Sequence, residues 1–114
     1  MESQLELYND SIRANTAKYH QSAPPGMEAA YNALRDEAYK DGALSHKMKR
    51  LIALGIALRA GCTACILHQT KLAMEAGATR EEVTEAVSVA VAMSGSTALG
   101  WSWRVYSLLD ELEK

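Results

Sequence analysis

The chain has 114 residues, 48% apolar and 23% charged, with a net charge of −2; these values describe one soluble domain with a modest core, of a size that often gains stability by assembling. No basic stripe marks a nucleic-acid surface, no apolar run reaches the ~18 residues of a membrane span, and the acidic start, Met1 to Glu6, lacks the basic and apolar regions of a signal peptide. A cytoplasmic location is expected, with neither nucleic acid nor membrane as partner, and there a close pair of cysteines reads as redox-active or metal-binding before it reads as a structural staple.

The periodicity predicts an all-α chain. A first amphipathic helix runs over about 5–19, with Leu5, Tyr8, Ile12 and Tyr19 on one broad face, and Ser22-Ala23-Pro24-Pro25-Gly26 stops it. A second runs over about 27–40 and ends at Asp41-Gly42. Ser45 is the expected N-cap of a third helix over 46–59. Its interior, Leu51 to Leu58, is apolar all round, so it is expected to be buried on most sides, inside the domain or between subunits. Ala60-Gly61 breaks the chain before a fourth helix over about 62–76, which Gly77 ends. Thr79 and Glu82 have capping-box spacing at the start of a fifth helix over about 80–93. After Ser94-Gly95-Ser96-Thr97, a last helix is expected over about 98–113, carrying Trp101 and Trp103. About six helices of this kind suit a bundle of helical hairpins.

The chemistry concentrates in the fourth helix. It holds the two cysteines of the chain at C-x-x-C spacing, Cys62 and Cys65, followed by His68. Gly61 places Cys62 near a helix N-terminus, where free N–H groups and the positive dipole end favour a thiolate. On an ideal helix, Cys62 and His68 lie about 60° to either side of Cys65. His68 is then a neighbour of Cys65 but badly placed for Cys62, and Gln69 falls between the two thiols in projection. The plainer readings are two packed cysteines and a histidine at the surface or an interface. A zinc site needs four ligands. Cys62, Cys65 and His68 supply three, and His20 and His46 are isolated, so no metal or other cofactor is expected.

The runs Lys49-Arg50-Leu51-Ile52-Ala53-Leu54-Gly55-Ile56-Ala57, Gly61-Cys62-Thr63-Ala64-Cys65-Ile66 and Ala76-Gly77-Ala78-Thr79-Arg80-Glu81-Glu82-Val83 resemble the carboxymuconolactone decarboxylase family, in particular its AhpD-like alkylhydroperoxidase branch. The resemblance covers about residues 44–103 of a single domain spanning 1–114. It implies an all-α fold of helical hairpins assembled as a homo-oligomer, trimer or hexamer. It also implies a thiol chemistry in which Cys65 attacks a hydroperoxide, Cys62 resolves the product into a disulfide, and a dithiol reductant such as a lipoyl group or a thioredoxin-like protein restores the pair. Branch members place a histidine four residues after the second cysteine and a glutamate about twelve before the first. Those positions are Gln69 and Arg50 here. Gln69 cannot act as a base, and a guanidinium at Arg50 accepts no proton but would lower a nearby thiol pKa.

The expected function is a thiol-dependent oxidoreductase, acting on a hydroperoxide or disulfide substrate through Cys62 and Cys65. His68 is the alternative acid or base, and Arg50 and Gln69 modulate the site. The altered relay favours disulfide exchange or slow peroxide reduction. Two other readings are a non-enzymatic oligomeric module with a vestigial site, and lactone decarboxylation, which the thiol pair disfavours.

Overall fold

The computed structural model describes residues 2–113, and among them every regular element is helical. A short α1 (Gln4–Glu6) runs into a π-helical stretch (Leu7–Arg13) and on into α2 (Ala14–Ser22). There follow α3 (Met27–Tyr39), α4 (His46–Ala60), α5 (Thr63–Glu75), α6 (Arg80–Ser94), α7 (Ser96–Leu99) and α8 (Ser102–Leu112). The chain termini of the helices behave as their residues dictate. The Ser45 side chain accepts from Met48 N–H at the start of α4, and Thr79 and Glu82 complete a reciprocal capping box on α6. Gly61 ends α4 at φ 68°, a left-handed conformation that a side chain disfavours.

The core lies where α4 packs on α5 and α6, and α5 on α8. Leu54, Leu58, Ile66, Val83, Val105 and Leu109 are fully buried there. A second cluster, Tyr8, Leu67 and Leu108, attaches the N-terminal segment to the outer side of α5 and α8. The π-helical stretch makes this attachment. Its i→i+5 turn brings Leu7 and Ile12, five residues apart, onto the side that carries Tyr8. Polar contacts hold the same segment to α8: Ser3 Oγ and the Leu5 N–H both donate to the Glu111 carboxylate, and Arg104 Nη1 donates to Oε1 of the buried Gln4 at 2.6 Å.

Two sequence expectations need correction, at the first and last helices, and the burial of α4 can be followed within one copy of the chain. The first helix is a composite with a π-helical middle, because Tyr8 must enter the α5–α8 seam. Within a single copy of the chain, the apolar interior of α4 is buried on one side. Leu51, Leu54, Ala57 and Leu58 face the core, whereas Ile52 and Ile56 stand open, Ile56 at 65% exposure. The last helix is split at Gly100-Trp101, so that Trp101 can turn inward over Gly61. Trp101 packs against the core, whereas Trp103 stays more exposed under the Arg104 guanidinium, 4.6 Å from its ring centroid.

Candidate functional site

Cys62 is the N-cap of α5. Its backbone is extended, at φ −88° and ψ 103°, and its sulfur accepts from the Cys65 N–H at 3.2 Å. Helix geometry brings the next turn directly over the cap, so the Cα atoms of Cys62 and Cys65 are 5.2 Å apart and the two sulfurs are bonded as a disulfide. Cys62 is partly buried and Cys65 is exposed. The two sulfurs are therefore unequal. An incoming group meets Cys65 first, whereas a thiolate on Cys62 is held by a helix N-terminus.

His68 lies one turn beyond Cys65, but no hydrogen bond joins it to either sulfur among the described residues. Its partners come from remote parts of the chain: Nδ1 lies 2.6 Å from Tyr8 Oη, and Nε2 lies 3.1 Å from Arg35 Nη2. A guanidinium only donates, so Nε2 is the acceptor. The neutral ring then carries its proton on Nδ1 and donates it to Tyr8 Oη. Both nitrogens are committed, and a second proton has no place without breaking the Arg35 bond. Burial first, then the charges of Arg35, Arg50, Arg13 and Lys71, push the imidazole down to about 4. Burial also raises the Tyr8 phenol, outweighing the opposing effect of Arg13. His68 thus stands in the site as a neutral imidazole whose two nitrogens face Tyr8 and Arg35.

The two positions at which the resemblance expects a glutamate and a histidine touch each other. Arg50 Nη1 donates to Gln69 Oε1 at 3.2 Å. The guanidinium lies 3.6 Å from the centroid of the Tyr39 ring, its Nε faces His46 Nε2 at 3.4 Å, and His46 Nδ1 donates to Tyr39 O at 2.6 Å. Arg50 is buried, which lowers its pKa. The pairing of the two positions is present, but a guanidinium and an amide cannot pass a proton between them. Arg50 also takes no contact with a sulfur among the described residues; its charge is felt at His68.

Cys65, His68 and Gln69 open into a cleft of about 770 Å³, walled by the π-helical stretch, α2 and α3. Arg13, Arg35, Tyr8 and Tyr31 line it as well. Sequence reading missed Tyr8 and Arg35 as site residues. In the sequence Tyr8 is one position on an amphipathic face, and nothing local distinguishes Arg35. They lie 60 and 33 residues from His68, and no local pattern signals such a pairing.

A model described as the carboxymuconolactone decarboxylase family matches residues 25–107. An uncharacterised protein of the cox locus of Paracoccus denitrificans is 34% identical over 91 residues, covering 80% of this chain and 82% of the relative. An uncharacterised protein of Cupriavidus necator is 30% identical over 90 residues, covering 79% and 80%. The crystal structure of a carboxymuconolactone decarboxylase family protein from Legionella pneumophila, lpg0406 in its apo form, superposes with a TM-score of 0.89 at 30% identity, over the full length of both chains.

Proposed function

The chain belongs to the carboxymuconolactone decarboxylase family, and from that premise we propose that it is a thiol-dependent oxidoreductase working through Cys62 and Cys65. One observation carries this reading: the bonded pair sits at a helix N-terminus, with Cys62 capping the helix and Cys65 exposed at a cleft. In the reduced state the Cys65 thiolate attacks the terminal oxygen of a hydroperoxide. The O–O bond breaks, an alcohol leaves with a proton from solvent, and Cys65 becomes a sulfenic acid. The Cys62 thiolate then attacks the Cys65 sulfur, forming the disulfide and expelling hydroxide, which takes a proton from solvent and leaves as water. An external dithiol attacks the exposed Cys65 sulfur, Cys62 leaves as a thiolate held by the helix N-terminus, and the second thiol of the reductant completes the exchange. In disulfide exchange the pair runs the same cycle with a substrate disulfide in place of the peroxide.

Arg50 and Gln69 replace the groups that would shuttle protons, and His68 is neutral with both nitrogens bonded. An alkoxide leaving group therefore depends on solvent for its proton. A thiolate leaving group needs none, so disulfide exchange is the favoured branch and peroxide reduction the slow one. The reading includes a cytoplasmic homo-oligomer, with the open Ile52 and Ile56 face of α4 in a subunit contact.

The test uses the reduced full chain with cumene hydroperoxide, and separately with an oxidised lipoyl disulfide, followed by mass spectrometry and thiol titration. Disulfide formation at Cys62–Cys65, absent in Cys65→Ser, is expected, with a Cys62 pKa below the free-thiol value of about 8.5. Thiols titrating at or above that value and inert to both oxidants would refute the proposal and leave the vestigial, non-enzymatic module in its place.

A further inference from the structure

The cleft beside Cys65 carries a charge imbalance that the thiol chemistry does not require. None of its lining residues is an aspartate or glutamate, although the chain has 14 acidic residues against 12 basic ones. Arg13 and Arg35 have no carboxylate partner among the described residues. Arg35 meets the Tyr31 ring at 5.6 Å and donates to His68 Nε2, and Arg13 lies 6.0 Å from the Tyr8 ring centroid. Lys71, 5.3 Å from that same ring centroid, and Glu75, which also acts on Tyr8, both lie outside the lining, so the charge of the cleft itself is that of Arg13 and Arg35. Like charges gathered this way repel one another until an anion neutralises them.

The remaining walls are apolar. Tyr31 and Leu34 stand 49% and 64% exposed at the cleft, with Ile12 and Ala38 beside them. His20 lines the same cleft, and its Nδ1 is shielded from water without a hydrogen-bond partner among the described residues. A charge beside Cys65 is accounted for by thiolate stabilisation. A second arginine on the N-terminal segment, open aromatic and aliphatic walls and an unpartnered imidazole nitrogen are not.

We propose that this cleft binds an amphipathic organic anion, an apolar chain ending in one carboxylate, with the carboxylate at Arg13 and Arg35 and the chain along Tyr31, Leu34 and Ala38. A volume of about 770 Å³ suits a ligand of that size. The inference deepens the redox reading by naming the class of molecule brought to Cys65, but binding itself requires no redox step.

Calorimetric titration of the oxidised full chain with octanoate and with octan-1-ol at neutral pH tests it. Octanoate is expected to bind at least about tenfold more tightly than the alcohol, and Arg13→Gln and Arg35→Gln are each expected to remove most of that difference. Leu34→Gln should weaken both ligands while keeping their ratio. In the reduced chain, octanoate should slow alkylation of Cys65. Equal affinity for acid and alcohol, a preference that survives both arginine substitutions, or no binding of either ligand would each overturn the proposal. If octanoate binds as expected but the thiols are inert to hydroperoxide and disulfide, the anion site stands and the oxidoreductase reading falls.

Discussion

At His68 the hydrogen bonds decide the chemistry. The fold holds this ring at about 4 against an ordinary 6.5, so between those values the unfolded chain carries a proton that the folded chain lacks. Stability contributed by the neutral ring is therefore fully present above about pH 6.5 and is lost as pH falls toward about 4. Urea denaturation at a series of pH values should show a steep fall over that window in the parent chain and a shallower one in His68→Asn. The tautomer is open to direct measurement: nitrogen NMR near neutral pH should find the His68 proton on Nδ1. Tyr8→Phe removes the acceptor of that proton, leaves a half-buried N–H unpaired, and should cost about 1–3 kcal/mol in denaturant titration.

At the scale of the elements, the site depends on how α4 hands over to α5. The left-handed turn at Gly61 reverses the chain so that Cys62 caps α5, and Trp101 closes over it. A Cβ at Gly61 would lie 3.1 Å from Trp101 Nε1 and would force the backbone to hold φ 68° with a side chain. Gly61→Ala should therefore lower stability by about 1–2 kcal/mol or more, and it should alter the reduction potential of the Cys62–Cys65 pair by shifting the cap, which a redox titration would detect. The second supporting junction is the π-helical stretch. Its wide turn seats Tyr8 between Leu67 and Leu108, which is what brings the phenol to His68.

At the scale of the whole molecule, α4 and α6 leave an apolar groove open among the described residues. Met48, Ile52 and Ile56 of α4 and Val89 and Met93 of α6 line an apolar groove of about 730 Å³, with Met93 at 88% exposure. No helix among the described residues is long and apolar enough to cross a membrane. Contiguous apolar surface of this kind marks an interaction site. Ile56→Asp is expected to reduce the mass seen by sedimentation velocity to that of a smaller species while leaving the helical circular dichroism unchanged. An unchanged mass would show that this groove carries no subunit contact.

The amino-acid sequence by itself determined the helical order, the caps at Ser45 and Thr79, the position of Cys62 at a helix start and the family, because each of these is written in residues within one or two turns of one another. Tertiary structure alone decided how protons and charge are arranged around the thiols. His68 was legible as a neighbour of Cys65, and Arg50 and Gln69 as substituted relay positions. That Arg50 binds Gln69, that His68 is locked between Tyr8 and Arg35, and that Arg13 shares their cleft all depend on packing between helices far apart in the chain. The periodicity of a helix shows which face is apolar, but not which remote side chain will meet it. The same limit applies to α4, whose all-round apolar sequence does not show which side packs within the chain and which, at Ile52 and Ile56, stays open in a single copy.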